Sequence, residues 1–295
     1  MRGANSADGE SAAAPTVLTR NGWESPTHTD PPSAIGGAPR RSRSCGYEYS
    51  SIISKESNVK RIGIIGSGSI GAAVARLAVA ADYEVLIANS RGPESLTDLI
   101  DELGPRAQAG EVRAAAEFGD IPVLAVPLAA YPNLPIDAFA GKSILSTGNY
   151  YPHRDGRIEE LDTLESTTAE YEQTLLPDTL IVKAFNNILF HHIPNLANSL
   201  PRTALPVAGD DTAAKNRVCD IVNALGFDTV DAGTLAESWR FEPESGAYTP
   251  IYAASADGFE TITSPTPGLP FRQAVCARCL LPRIALMSGR DSSDA

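Results

Sequence analysis

The sequence contains no apolar run close to the roughly 18 residues that a membrane span needs. Its longest candidate, Ile121 to Tyr131, is interrupted by Pro122 and Pro127. Cysteine is scarce as well. Cys45, Cys219, Cys276 and Cys279 are too few and too scattered for a disulfide framework. Cys276 and Cys279 have CxxC spacing, but no second CxxC or paired histidine lies near them to complete a four-ligand zinc site. The adjacent His191 and His192 would diverge by about 100° on a helix. No metal site is expected, and the expected compartment is a reducing one, the cytoplasm. Positive charge is also in deficit: 24 Lys and Arg face 36 Asp and Glu, for a formal net charge of −12. That balance argues against nucleic acid or an anionic membrane as a partner. No internal repeat is found.

Residues 1–57 lack both a sustained period and large apolar side chains, and are rich in Ser, Pro, Ala and Gly. Such a segment buries too little surface to offset its ordering entropy, so a disordered head is expected. Its basic cluster, Arg40-Arg41-Ser42-Arg43, is accompanied by Asp8, Glu10, Glu24 and Asp30, which a transit peptide would avoid.

What is present is concentrated between Val59 and Gly92. A short apolar run, Arg61 to Ile65, breaks into Gly66-Ser67-Gly68-Ser69-Ile70-Gly71. An alanine-rich segment follows, and a second apolar run, Glu84 to Ala88, ends in Asn89-Ser90-Arg91. Strand, glycine turn, helix and strand here occupy about the 30 residues of one βαβ unit. The pattern predicts a dinucleotide whose pyrophosphate lies against Gly66, Ser67, Gly68, Ser69, Ile70 and Gly71 at the helix start. Where an NAD site usually carries Asp or Glu for the ribose 2′-OH, this chain has Asn89, then Ser90 and Arg91. A hydroxyl and a guanidinium suit a 2′-phosphate, so the expected cofactor is NADP(H).

Further along, the first helix is expected over about Ile70 to Ala81 and a second over Pro93 to Leu103, stopped by Gly104-Pro105. Glu111-Val112-Arg113 reads as a short third strand, and Arg154 to Leu176 as one helix with acidic faces. Strands at Pro122 to Val126, Ser143 to Ser146 and Leu180 to Phe185 deliver Pro127 and Leu128, Thr147 to Tyr151, and Asn186 and Asn187 to one rim. In a doubly wound sheet ligands collect at that rim. Pro127 and Leu128 are expected to form an apolar wall there. A strand at Leu205 to Ala208, a helix facing inward through Val218, Ile221, Val222 and Leu225, and a last strand at Thr229 to Asp231 complete the reading. The expected fold is α/β, a Rossmann-type doubly wound and mostly parallel sheet with helices on both faces and a small C-terminal lobe. The divisions expected are a head over 1–57, the dinucleotide domain over 58–236, the lobe over 237–262 and an irregular tail over 263–295.

Taken together, the segments Ile64 to Gly71, Asn89 to Pro93, Leu124 to Pro127, Thr147 to Pro152, Lys183 to Asn187, Val207 to Asp211 and Asp231 to Gly233 resemble the coenzyme F420-dependent NADP oxidoreductase family. The resemblance implies hydride transfer between NADP(H) and a planar redox partner, F420-like or flavin-like. It places Ser67 and Gly68 on the phosphates, Ser90 and Arg91 on the 2′-phosphate, and Pro127 and Leu128 where two rings meet. Asn149, Tyr150, Asn186 and Asn187 would line the second pocket. No acid or base is required of the protein by this scheme, and a homodimer is compatible with it. The topology also resembles the N-terminal domain of pyrroline-5-carboxylate reductases and the NADPH domain of metalloreductases. An imine reductase and a non-catalytic NADPH sensor are the alternative readings. Arg154 and Arg157 are read as helix-surface charges, or as contacts for an acidic tail on the partner.

Overall fold

The computed structural model describes residues 61–252. The expected head over 1–57, the tail over 263–295, and Cys45, Cys276 and Cys279 lie outside the described residues. The chain runs β1 (Arg61–Ile65), α1 (Ser69–Ala80), β2 (Glu84–Ala88), α2 (Thr97–Leu103), β3 (Ala107–Ala109), α3 (Val112–Phe118), β4 (Val123–Leu124) and β5 (Ser143–Ser146). Three short helices follow, α4 (Pro152–Asp155), α5 (Glu159–Asp162) and α6 (Thr168–Leu175), then β6 (Leu180–Lys183) and α7 (His192–Leu196). The series ends with β7 (Ala204–Gly209), α8 (Thr212–Ala224), β8 (Asp228–Asp231) and 3-10 turns at Leu235–Phe241 and Thr249–Tyr252. Among the described residues no helix is long and apolar enough to cross a membrane.

The strands form one eight-stranded sheet in the order β3-β2-β1-β4-β5-β6-β7-β8. All neighbours are parallel except β6 and β7. This is the doubly wound arrangement, with the order of strands reversing between β1 and β4. Alternation along β1 sends Ile62 and Ile64 into the layer beneath α1, α7 and α8, and Ile65 into the layer beneath α3 and α6. Both faces of the sheet are covered, as an almost wholly apolar parallel strand requires.

Three sequence expectations are corrected. The third strand is Ala107–Ala109, which pairs with Val85 to Ile87, while Val112 and Arg113 open α3. The run Ala114 to Ala116 lets α3 lie so close to β1 that a Cβ on Gly63 would stand 1.8 Å from the Ala115 carbonyl oxygen. Residues 154–176 are not one helix, because the chain turns through positive φ at Gly156 (80°) and Leu164 (59°). The strand at Pro122 to Val126 shortens to two paired residues, Val123–Leu124.

The C-terminal end of the described chain completes the main core. Phe241, Ala247, Ile251 and Tyr252 all join the layer beneath α1 and α8. Asn187 fastens them: its buried side-chain amide donates to the Ala247 carbonyl oxygen at 2.9 Å and to the Tyr252 hydroxyl at 3.2 Å. Losing both bonds leaves a buried carbonyl and a buried hydroxyl short of a donor. Asn187→Ala is expected to lower stability by about 1–3 kcal/mol in urea titration. A variant as stable as the wild type would remove Asn187 from this role.

Candidate functional site

The turn after β1 is shaped by close approach. Gly66 sits at φ 107° with its N–H on the Ala88 carbonyl, and a Cβ there would meet the Ala125 carbonyl oxygen at 2.2 Å. A Cβ on Gly71 would meet the Gly66 carbonyl oxygen at 1.9 Å. Gly68 is the opposite case: it is exposed, and nothing lies within 4 Å of the position a Cβ would take. The first turn of the twelve-residue helix α1 has no side-chain cap. Its free amide N–H groups and the positive end of the helix dipole therefore open onto that clear space, which fits a pyrophosphate.

At the end of β2, the Asn89 side-chain amide donates to Ser67 Oγ and to Ser95 Oγ, each at 2.9 Å. Its carbonyl accepts the Arg91 backbone N–H at 2.8 Å. Asn89 thus ties the glycine turn to the loop that carries Ser90 and Arg91. Ser90 and Arg91 are both exposed, and no hydrogen bond or ion pair to the Arg91 guanidinium is found among the described residues.

From Gly68, Ser69 and Ile70 a groove of about 350 Å³ runs past Ala125, Val126 and Pro127 to Asn149, Asn186 and Phe190. The sequence-predicted residues Gly68, Ser69, Ile70, Pro127, Asn149 and Asn186 are brought together along it. Three of the expected rim residues are not. Leu128 is buried in the core layer beneath α3, so Pro127 forms the wall without it. The Tyr150 hydroxyl donates to Asp162 Oδ1 at 2.9 Å and accepts the Ile158 N–H at 3.0 Å, on the side away from the groove. Asn187 serves the C-terminal anchor described above.

Asn149 and Asn186 form a reciprocal pair. Asn149 Nδ2 donates to the Asn186 carbonyl oxygen at 2.8 Å, and Asn186 Nδ2 donates to Asn149 Oδ1 at 3.1 Å and to the Phe241 carbonyl oxygen at 2.9 Å. Beside them, the Tyr151 and Tyr248 hydroxyls are hydrogen-bonded to each other at 2.5 Å. Arg154 donates from Nη2 to the Asn149 carbonyl oxygen at 2.6 Å, and its guanidinium carbon lies 4.8 Å from the centre of the Tyr151 ring. It is therefore part of the wall. Arg157 pairs at 2.9 Å with Asp162 and remains largely exposed. The sequence delivers Tyr151 to the rim without giving it a part in the pocket, and gives Tyr248 no place there. Strand alternation past Asn149 was the available signal for Tyr151. Tyr248 lies 99 residues from Asn149 in a segment without periodicity, and carries no such signal.

Beneath the groove floor lies a buried charged cluster. A Cβ on Gly148 would stand 1.8 Å from Glu172 Oε1, which accepts the Tyr131 hydroxyl at 2.8 Å. Lys183, fully buried, pairs with Glu242 Oε1 at 2.9 Å. Glu242 also accepts from Ser238 and from the backbone and hydroxyl of Thr168. Burial raises the Glu172 carboxyl above its ordinary range against the pull of Lys183. Burial acts in the same direction on Glu242, but there the Lys183 charge and the hydrogen bonds prevail and hold it below that range. Among the described residues no group of three His, Cys, Asp or Glu could hold a metal ion.

A sheet whose strand order reverses above an uncapped, glycine-lined helix start is the architecture of dinucleotide-binding domains. Residues 61–150 match the family model described as NADP oxidoreductase, coenzyme F420-dependent, and through them the chain is related to that family. Protein SMa0349 of Sinorhizobium meliloti, a hypothetical protein, has a similar structure at 28% identity and a TM-score of 0.56, covering 64% of this chain and 93% of that one. A candidate F420-dependent NADP-reductase of Arthrobacter sp. FB24 shares the fold at 22% identity and a TM-score of 0.52, covering 61% of this chain and 87% of that one. The metalloreductase STEAP3 of Rattus norvegicus is 29% identical over 184 residues, which are 62% of this chain. The chain spans 36% of the length of that curated relative and 44% of Escherichia coli YjhV, another relative.

The Glu172 carboxyl generates a pH prediction. Its raised value means that the folded chain holds this proton more tightly than the unfolded chain does. The contribution to stability is therefore full at acidic pH and is lost as pH rises through the folded value. Glu172→Gln keeps an acceptor for Tyr131 and cannot ionise. Its stability relative to the wild type should rise with pH, with a slope of at most about 1.4 kcal/mol per pH unit. A difference in urea-derived stability that stays flat with pH would count against the raised carboxyl.

Proposed function

We propose that the chain is an NADP(H)-dependent oxidoreductase. The observation that carries this reading is the open space above Gly68 at an uncapped helix start, with an exposed Arg91 on the neighbouring loop whose guanidinium has no partner among the described residues. The backbone N–H groups of Ser69, Ile70 and Gly71 would hold the pyrophosphate, and Ser67 would lie beside it, fixed by Asn89. Ser90 and Arg91 would take the 2′-phosphate, the guanidinium through charge-assisted bonds. The bound dinucleotide supplies the hydride.

At the other end of the groove Pro127, Asn149 and Asn186 would seat the second substrate. The family match supports a planar redox partner, F420-like or flavin-like, and the hydrogen-bonding wall of Asn149, Tyr151 and Tyr248 would equally seat a small imine. The chain's contribution is to fix two flat molecules against each other, since positioning can supply much of the rate.

Arg91→Ala is expected to raise the NADPH dissociation constant about tenfold or more while leaving NADH affinity nearly unchanged. Fluorescence titration of both cofactors checks it. Equal losses for the two would move the 2′-phosphate elsewhere, and wild-type protein that binds neither would end the reading.

A further inference from the structure

Resting on the dinucleotide reading above, we infer that the hydrogen-bonded hydroxyls of Tyr151 and Tyr248 are the proton donor of this site. The matching acceptor carries a C=N or C=O group, in a small imine or in a planar ring.

Asn149 has its amide orientation fixed twice, because Nδ2 faces the Asn186 carbonyl oxygen, which can only accept, and Oδ1 receives the Asn186 amide. The second hydrogen on Asn149 Nδ2 is directed at the two tyrosine oxygens, at 3.4 Å from each. Asn149 is thus a donor to the pair and offers it no acceptor. The two hydroxyls hold two protons, and the bond between them uses one. The other has no acceptor among the described residues. Both rings line the groove, so that proton is available to a lone pair on a molecule lying there.

The surroundings act on transfer of that proton in both directions. If one oxygen gives it up, the anion left behind is met by the other hydroxyl and by the Asn149 amide, while the Arg154 guanidinium over the Tyr151 ring has its charge already paired with Asp155 at 2.8 Å. Burial and the neighbouring Tyr151 hydroxyl push Tyr248 above the ordinary phenol range, which holds its proton more tightly than a free phenol would, while Arg154 pulls in the opposite direction. In the balanced step, the acceptor carbon gains the hydride, the π pair of C=N or C=O moves onto the heteroatom, and the heteroatom takes the tyrosine proton. Water then restores the tyrosine. Both rings also line a second cavity, of about 660 Å³, from which that water would come.

The test uses the full chain, its Tyr151→Phe and Tyr248→Phe variants and the double variant, because a single variant leaves the remaining hydroxyl with one unbonded proton. NADPH affinity by fluorescence decides the parent reading. Wild-type protein that fails to bind overturns that reading and this inference together. With binding established, calorimetry measures 2-pyrrolidinone, whose carbonyl can only accept, on the NADP⁺-saturated protein. The double variant should bind it about tenfold more weakly. Single-turnover oxidation of NADPH by 1-pyrroline, in alkaline buffer where the free imine is unprotonated, should slow by roughly 10²-fold or more in the double variant, with each single variant in between. Lactam affinity and imine rate within twofold of the wild type in the double variant would overturn the proton role alone. Loss of NADPH affinity in the double variant would assign the tyrosines to holding the dinucleotide, and would also overturn it.

Discussion

The structure depends on one constraint, the reversal of strand order at β1. That strand pairs with β2 on one side and β4 on the other, so the chains leaving β1 and β4 diverge and their carboxyl ends enclose a crevice. Gly66 and Gly71 permit the crevice to form, because the turn between β1 and α1 passes too close to Ala125 and to itself for any side chain. The open face over Gly68 follows from the same geometry. The dinucleotide end of the groove is thus a property of the backbone path, with few side chains involved.

The opposite end is built from side chains far apart in sequence. The reciprocal amides of Asn149 and Asn186 join the ends of β5 and β6, and Asn186 extends the link to Phe241. Through that link the segment after β8 is drawn across the rim, and Tyr248 arrives beside Tyr151. Loops carrying reactive groups on a rigid sheet are a common division of labour. Here the division falls within a single groove, with backbone at one end and a hydrogen-bonded wall at the other.

How far the sequence could be read follows from the same division. The glycine turn, the order of strands and helices, and the Asn89–Arg91 loop depend on local residue chemistry, and each is visible in a window of a few residues. The third strand was displaced because Ala107–Ala109 has no β-branched residue to announce it, whereas Val112 does and lies in a helix. Tyr150 and Asn187 occupy the expected rim segments but are engaged elsewhere, Tyr150 because it alternates with Asn149 and Tyr151 on an extended chain and Asn187 because the chain turns after Phe185. Which of two adjacent side chains reaches a site depends on register, and register was fixed by partners such as Asp162 and Ala247 that no local pattern identifies. Tyr248 was hidden for a related reason, since its place is set by contacts across 97 residues.

The ion pair of Lys183 and Glu242 bears on where the folding unit can be divided. Lys183 is at the end of a central strand and has no exposure, and its counter-charge is supplied from beyond the last strand of the sheet. A polypeptide truncated between Asp231 and Glu242 would retain every strand yet leave an ammonium in an apolar interior opposite only the reluctant Glu172 carboxyl. Breaking a buried pair in this way costs about 3–5 kcal/mol, comparable with the net stability of many whole domains. The minimal autonomous unit is therefore longer than the sheet itself, and the rim tyrosine comes with it.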